Sequence, residues 1–286
     1  MATESYGQLV LELRKLRLPT IAEMLDSYTK QAVSSNMSYV DFLSGLVFEE
    51  VRSRERNGIE SRIKSARFPI PKSLDDFDYG FQPSVNKKKL AELCNLRFID
   101  NRENVMLLGP PGVGKTHLAI GLGVKACESG YKVLFTTLND MISVLMSSMA
   151  DNSFPAKLRT FIQPSLLIVD EVGYLPVPKE GANFLFHVVS KRYEIGSIIL
   201  TSNKSFAYWG EVLGDNVIAS AILDRLLHHS TVFNIRGDSY RLREKKELTK
   251  DLGSNAFGKE EKELNWDRNP KFEFPNSREA RFFATL

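Results

Sequence analysis

Apolar residues in the first part of the chain recur every three or four positions, which is the period of amphipathic helices. Three such stripes follow one another: Leu9, Leu13 and Leu16; Ile21, Met24, Leu25 and Tyr28; Phe42, Leu43, Leu46 and Val51. Pro19 ends the first stripe. Ser38 and Asp41 have the spacing of a capping box, so we expect a longer third helix to begin there with its stripe facing inward. The pattern predicts a small all-helical domain over residues 1–68.

After this region, short apolar runs alternate with further helical periodicity. The predicted strands are 104–108, 131–136, 165–171, 197–203 and 231–235. The predicted helices are 87–98, 117–126, 138–149, 180–194 and 218–229. Strands that are apolar on both faces are typical of a parallel sheet covered by helices on both sides. The sequence therefore predicts an α/β domain with a mainly parallel sheet over residues 69–247.

Two segments lack this periodicity. Residues 68–85 contain several prolines but also Leu74, Phe77, Tyr79 and Phe81, and we expect this connector to pack on another part of the protein and not to be a flexible linker. Residues 248–286 contain glycines, prolines and mixed charges, which predicts a mostly disordered tail. Four phenylalanines of the tail could dock on a partner: Phe272, Phe274, Phe282 and Phe283.

Composition narrows the class of protein only moderately. A hydrophobic content of 43% and a charged content of 26% are ordinary for a soluble globular protein. A net charge of +3 is too small to establish a nucleic-acid partner by itself. The two cysteines cannot form a disulfide framework, which favours a reducing, cytoplasmic location. No secretory segment and no apolar run of 18 residues is evident, so we expect neither secretion nor a membrane span.

Residues 109–116, which read Gly-Pro-Pro-Gly-Val-Gly-Lys-Thr, fill every fixed position of the phosphate-binding pattern G-x-x-x-x-G-K-[ST]. Glycines let the backbone approach phosphates without a Cβ, and the next helix adds free N–H groups and the positive end of its dipole. A simple Gly-rich turn is the alternative, but the predicted strand before the loop and helix after it favour the phosphate site. The residues expected to bind the nucleotide are Gly109, Pro110, Pro111, Gly112, Val113, Gly114, Lys115, Thr116 and His117.

Acidic and polar residues stand at the ends of two other predicted strands. Asp170 and Glu171 follow four apolar residues, and this is a Walker B pattern. We expect Thr116 and Asp170 to hold Mg²⁺, and Glu171 to orient or deprotonate the attacking water. Asn203 ends the next strand, where it could hydrogen bond the γ-phosphate or that water. Because Phe206 replaces the aspartate of the guanine signature N-K-x-D, adenine is favoured over guanine.

A basic cluster ends the third predicted helix. It consists of Arg52, Arg54, Arg56, Arg62, Lys64 and Arg67. A solvated helix face, balanced by Glu49, Glu50, Glu55 and Glu60, and a surface that contacts phosphates both remain open. The four histidines of the chain suggest no metal site.

Together these motifs resemble the IstB family of insertion-sequence helper ATPases, which is close to the helicase loader DnaC within the AAA+ superfamily. The resemblance covers most of residues 5–247 and is carried by Gly109–Thr116, Leu167–Glu171, Thr201–Asn203, Asp224-Arg225-Leu226 and Ser239-Tyr240-Arg241. It implies that Asn203 is the sensor-1 residue, Arg225 an arginine finger and Arg241 the sensor-2 arginine. Arg243, expected on the same side of a strand, could replace Arg241.

The resemblance also implies a function. It predicts Mg²⁺-dependent hydrolysis of ATP, largely sequence-independent binding to double-stranded DNA, and assembly of a homo-oligomer on that DNA with ATP. It further implies a cognate transposase as partner, whose target selection the hydrolysis would control. A helicase loader of the DnaC type is one alternative, and a nucleotide-gated DNA scaffold with little hydrolysis is another.

Overall fold

The computed structural model describes residues 2–175 and 177–243. Its first part is helical, with α1 (Ala2–Lys15), α2 (Pro19–Ser34) and α3 (Tyr39–Ser65). Ile21, Leu25 and Leu46 are the buried centre of this part, and Tyr28 and Phe42 pack beside them. The predicted cap of the third helix is confirmed, because the Ser38 side chain accepts a hydrogen bond of 3.1 Å from the backbone N–H of Asp41.

The expectation that the whole apolar stripe of α3 faces inward was wrong. Leu43 and Val51 are 60% and 48% exposed, whereas Leu46 is 2% exposed. The reason is that α3 contacts α2 along a narrow face, and a polar residue, Glu50, takes the next buried position on it.

Glu50 is buried because it caps the neighbouring helix. Its carboxylate accepts hydrogen bonds from the backbone N–H groups of Thr20 (2.9 Å) and Ile21 (3.2 Å), and from Arg54 on its own helix (2.9 Å). Burial alone would raise the pKa of Glu50, but these donors outweigh burial and leave the pKa below its ordinary value. The start of α2, where Leu18 offers no side-chain cap, is thereby satisfied from α3.

Helix α3 continues from this helical part into the α/β part. Near its end Ile63 and Ala66 belong to the core of the α/β part, and Arg62 donates to the carbonyl of Cys127 (2.7 Å). The carbonyl of Ala66 accepts a hydrogen bond from the backbone N–H of Phe135 (2.8 Å). One helix of 27 residues therefore enters both cores. The domain boundary near residue 68 stays a prediction.

The α/β part consists of a five-stranded sheet and helices on both of its faces. Its strands are β1 (Asn104–Leu108), β2 (Val133–Thr137), β3 (Leu166–Val172), β4 (Ser197–Ser202) and β5 (Ser230–Asn234). The order in the sheet is β2-β3-β4-β1-β5, and every neighbouring pair is parallel. This confirms the predicted fold class.

The helices differ more from the prediction than the strands do. They are α4 (Lys87–Leu93), α5 (Arg97–Asp100), α6 (Lys115–Glu128), α7 (Leu138–Ala150), α8 (Phe154–Ile162), α9 (Lys179–Arg192), α10 (Trp209–Leu213) and α11 (Asn216–His228). The single helix predicted over 87–98 is two helices, because Leu96 takes a left-handed conformation with φ of 59° and interrupts it. Helices α8 and α10 were not predicted.

Alternate residues of the strands point into two separate cores. On one face Val105, Leu107 and Ile168 pack against α4, α5, α6 and the end of α3. On the other face Met106 and Leu167 pack against α7 to α11. Burial on both faces explains why the strands read as continuous apolar runs.

The prediction that the connector packs is confirmed, and the surface on which it packs is the α/β part. Phe77 and Val85 are buried, and Phe68, Leu74 and Tyr79 are partly buried against the core that contains α6. The predicted tail, residues 248–286, lies outside the described residues. In the part of the chain that the structure describes, every helix is too short or too polar to cross a lipid bilayer.

Candidate functional site

The loop between β1 and α6 has the backbone that a phosphate site requires. Gly112 and Gly114 have φ of 82° and 92°, values that residues other than glycine rarely adopt. A Cβ at Gly112 would collide with Ser239, and a Cβ at Gly114 with the ring of Phe77. Helix α6 begins at Lys115, so its first unpaired N–H groups and the positive end of its dipole lie at this loop.

Lys115 is folded into this loop. Its Nζ donates to the carbonyl oxygens of Gly109 and Pro110, both at 2.7 Å, and the side chain is buried. The pKa of Lys115 is lowered to about 8, mainly by burial; the charge of Arg241 contributes to this lowering, and Asp170 and Glu171 oppose it. The cation is therefore held by carbonyl dipoles that a phosphate could replace.

The predicted metal ligands lie next to each other. The Thr116 hydroxyl is 3.0 Å from both carboxylate oxygens of Asp170 and donates to them. Thr201 on β4 also donates to Asp170, and its hydroxyl accepts the backbone N–H of Glu171 at 3.0 Å. A hydroxyl beside a carboxylate is an oxygen donor set of the kind that Mg²⁺ prefers, so these residues fit the ion. Sequence analysis assigned no individual role to Thr201, although its hydroxyl bonds the carboxylate of Asp170 and the backbone of Glu171.

Glu171 is directed out of the sheet by an irregularity of β3. Its φ is 62°, and the pairing of β3 with β4 shifts register between Val169 and Val172. Such a bulge changes the direction of one side chain, and strained backbone conformations tend to cluster at functional sites. The side chain of Glu171 is consequently exposed, beside a buried Asp170.

Asn203 lies between the two motifs, because β4 lies between β1 and β3 in the sheet. Its Oδ1 is buried and, among the described residues, has no hydrogen-bond partner. A Cβ at Gly173, two residues after Glu171, would lie 3.3 Å from this oxygen. Since buried polar atoms are nearly always paired, an unpaired one at this place fits a group that arrives with a ligand.

The segment after β5 returns to the phosphate-binding loop. Residues 240–243 are helical, and the backbone N–H of Tyr240 donates to the carbonyl of Gly112 at 3.0 Å. The expectation of a strand here was wrong, and Arg241 and Arg243 therefore point in different directions. Arg243 forms an ion pair with Asp78 (3.3 Å), whereas Arg241 is close enough to Lys115 to lower its pKa. This geometry favours Arg241 over Arg243 for a role near the phosphates.

His117 and Arg225 lie in different surroundings. His117 Nε2 is 2.7 Å from the carbonyl oxygen of Ser73, and its ring meets Phe77 edge to face, so it holds the connector against α6. Arg225 lies near Asn104, Gly196 and His229, at the amino ends of the strands and away from the P-loop of its own chain. There it donates to the carbonyl of Ala221 (2.9 Å) and lies over the ring of Phe186.

The residues of the basic cluster differ in the contacts that they make. Arg54 is bonded to Glu50 and Arg62 to the carbonyl of Cys127, which explains both through the packing of α3. Arg52 is 3.8 Å from Glu49, a distance typical of a weak surface pair. Both interpretations of the cluster stay open for its exposed members.

Sequence comparison places these motifs in a known context. Residues 11–248 match the IstB-like ATP binding protein family. The ATP-binding protein named for insertion sequence IS5376 of Geobacillus stearothermophilus is 47% identical over 232 residues, which are 81% of this chain and 92% of that protein. The one named for insertion sequence IS21 of Pseudomonas aeruginosa is 48% identical over 239 residues, which are 84% of this chain and 90% of that protein.

Solved structures show the same fold at lower identity. AMPPCP-bound DnaA from Aquifex aeolicus is 21% identical with a TM-score of 0.51, and the match covers 65% of this chain and 57% of that chain. A DNA replication initiation factor is equally similar, with 63% of this chain and 54% of that chain covered. These likenesses concern the fold of the α/β part.

Proposed function

The chain belongs to the IstB-like ATP binding protein family, and we propose that it is a Mg²⁺-dependent ATPase that assists a transposase on DNA. One observation carries the ATPase part of the proposal. The phosphate-binding loop, the Thr116–Asp170 pair, Glu171 and Asn203 meet at the carboxyl ends of β1, β3 and β4. Ligands of open parallel sheets bind at these ends.

ATP binding would use the loop and the start of α6. The phosphates would displace the carbonyls of Gly109 and Pro110 from Lys115, and backbone N–H groups of the loop would donate to them. Arg241 would approach the same charges from the segment that is bonded to Gly112. Each of these groups is cationic or a hydrogen-bond donor, as a triphosphate requires.

Hydrolysis would use the acids at the end of β3. Thr116 and Asp170 would hold Mg²⁺, which neutralises phosphate charge when bound. Glu171, exposed and directed away from the sheet, would accept a proton from the attacking water, and Asn203 Oδ1 would orient that water. Because a scaffold that hardly hydrolyses needs neither residue so placed, their geometry supports an ATPase over the scaffold alternative.

Arg225 would complete the site of a neighbouring subunit. It lies at the opposite end of the sheet from Lys115, so it does not reach the phosphates bound by its own chain. An arginine supplied by a neighbour stabilises the charge of the transition state. Hydrolysis would therefore require a homo-oligomer, which we propose forms with ATP on double-stranded DNA.

The insertion-sequence names of the relatives support a transposase partner over a helicase partner. We propose that the ATP-bound assembly marks target DNA for the cognate transposase and that hydrolysis releases it. Phosphate contacts collected over many subunits would supply the DNA affinity, with little recognition of base edges.

Measurements of DNA binding test whether the protein assembles on DNA with ATP. We expect tight binding only with ATP and only on duplexes long enough for several subunits. The logarithm of affinity should fall with the logarithm of salt concentration by about 0.9 for each phosphate contact. The measurement is a titration against duplex length, salt and nucleotide state. Tight, sequence-selective binding by nucleotide-free monomers to a short duplex would contradict the proposal.

Charge reversal tests whether the basic cluster contributes to this binding. The variant should replace Arg56, Lys64 and Arg67 by Glu and spare Arg54 and Arg62, whose hydrogen bonds support the fold. A matched control reverses three exposed lysines elsewhere, Lys88, Lys132 and Lys157. A larger loss of affinity and a smaller salt dependence in the cluster variant than in the control would place DNA on that surface.

The pKa of Lys115 predicts how ATP binding depends on pH. Without nucleotide this pKa is about 8, and bound phosphates would raise it because they stabilise the cation. Binding above that pH should therefore take up a proton, and ATP affinity should fall by up to about tenfold per pH unit. Titration calorimetry at about pH 7, 8 and 9, in two buffers of different ionisation enthalpy, measures both effects.

The matched variant for this prediction is Lys115→Arg. Its guanidinium stays charged over the whole range, so its affinity should change little with pH even if it is weaker throughout. A wild-type affinity that is constant from about pH 7 to 9, without proton uptake, would contradict the depressed pKa of Lys115.

A further inference from the structure

Two histidines and a glutamate converge at the amino-terminal edge of the sheet, far from the phosphate-binding loop. Glu194, His228 and His229 each offer one ligand atom, and these atoms lie within 4.8 Å of one another. We propose that these three residues form a Zn²⁺ site. The ion would join the end of α9 to the end of α11, the helix that carries Arg225.

The backbone explains how consecutive histidines can face the same point. Within a helix, neighbouring side chains diverge by about 100°. Helix α11 ends at His228, and His229 has φ of −127° and ψ of 84°, outside the helical region. The two rings consequently approach to 4.1 Å between their centroids.

The backbone of all three residues is ordered by contacts that do not involve the ligand atoms. The carbonyl oxygen of His229 accepts from the backbone N–H of Asn104 at 2.8 Å, which ties it to β1. The carbonyl oxygen of Glu194 accepts from Arg102 at 2.9 Å. His228 belongs to the last turn of α11. A site whose backbone is already ordered binds a metal with little loss of entropy.

Tyr193 orients two of the three proposed ligands, His228 and Glu194. Its hydroxyl lies 2.8 Å from Nδ1 of His228 and also interacts with the carboxylate of Glu194. If the hydroxyl accepts from Nδ1–H and donates to the carboxylate, Nε2 of His228 keeps its lone pair for a metal. Metal-binding histidines commonly use their second nitrogen in this way.

The chemistry of the set selects the ion. Two neutral imidazoles and one carboxylate suit Zn²⁺, whereas Mg²⁺ prefers oxygen ligands alone. In a tetrahedral Zn²⁺ site with bonds of about 2.0–2.1 Å, neighbouring ligand atoms are about 3.4 Å apart. The three side chains are exposed, so rotation about their side-chain bonds can close the remaining distance.

Other residues of the chain compete only weakly for Zn²⁺. Four histidines and two cysteines are the only imidazoles and thiols in the sequence, and the other two histidines lie apart at positions 117 and 187. Burial raises the pKa of Cys94, and raises that of Cys127 to about 11, which keeps both thiols protonated. Arg102 and Arg225 line the same hollow and their charges oppose a cation, which limits the expected affinity.

The test is Zn²⁺ titration of the metal-free full chain by calorimetry, with the absorption of bound Co²⁺ as a second measurement of coordination geometry. We expect one ion per chain, not displaced by excess Mg²⁺. His229→Ala and Glu194→Gln should each weaken binding by at least about tenfold, and Tyr193→Phe by about tenfold through loss of orientation. His187→Ala, an exposed histidine on α9, is the matched control and should bind as the wild type does.

Circular dichroism establishes that each variant is folded, which we expect because the altered side chains other than Tyr193 are exposed. Absence of stoichiometric binding to the wild type would overturn the proposal. Equal affinity of the wild type, His229→Ala and Glu194→Gln would overturn it as well. Neither measurement uses ATP or DNA, so the result does not depend on the proposed function.

Discussion

Glu171→Gln is expected to lower the rate of ATP hydrolysis by about 10²–10⁴ while leaving ATP binding nearly unchanged. The amide has the size of the carboxylate but cannot accept a proton from water. Asp170, Thr116 and the phosphate-binding loop remain, so the nucleotide keeps its contacts. The variant should therefore accumulate ATP-bound assemblies on DNA. Phosphate release, nucleotide binding and sedimentation with DNA measure the three effects.

Glu180→Gln is the matched control for this substitution, since Glu180 is an exposed glutamate in the first turn of α9. It should hydrolyse ATP at the wild-type rate. Wild-type turnover by Glu171→Gln would remove Glu171 from the proposed mechanism. It would also leave the left-handed backbone at this position without a functional explanation.

Arg225→Ala is expected to bind ATP almost normally and to hydrolyse it about 10³–10⁵ times more slowly, if the arginine acts in the site of a neighbour. The side chain lies at the far end of the sheet from Lys115, so its removal should not disturb nucleotide contacts in its own chain. Steady-state hydrolysis and ATP affinity, measured at equal protein concentration, test both halves of the expectation. Arg159→Ala, an exposed arginine on α8, is the control.

Mixing two inactive variants tests whether Arg225 acts in the site of a neighbouring subunit or in the site of its own. Lys115→Ala should lose ATP binding because it lacks the fixed cation of the phosphate site, but it keeps Arg225. In a mixture, an intact phosphate site from Arg225→Ala can meet an intact arginine from Lys115→Ala, and some activity should return. If the wild-type rate per subunit is the same after dilution to monomers, Arg225 does not act on a neighbour.

The sheet could be predicted closely from the sequence. All five strands were identified to within two residues at each end, because a strand buried on both faces shows as a continuous apolar run between polar ends. The phosphate-binding loop and the acids of β3 were recognised for a related reason. Their chemistry requires fixed residue types at fixed spacing.

The features that could not be predicted from the sequence depend mostly on contacts between distant segments. Leu43 has the spacing of a core residue, yet α3 buries Glu50 instead, because the start of α2 needs a cap. The interruption at Leu96 leaves the apolar pattern intact, so periodicity could not reveal it. The approach of Glu194 to the histidines joins residues more than 30 positions apart, and no local pattern marks it.

Because α3 is continuous, its length sets the rotation of the helical core relative to the core of the α/β part. With one end in the helical core and the other in the core of the α/β part, an inserted or deleted residue between Leu46 and Ile63 would turn one core relative to the other by about 100° and shift it by about 1.5 Å. A change of seven residues would nearly restore the original facing, at a separation altered by about 10.5 Å. Relatives that vary in this segment should therefore differ by whole pairs of turns if both cores face common partners.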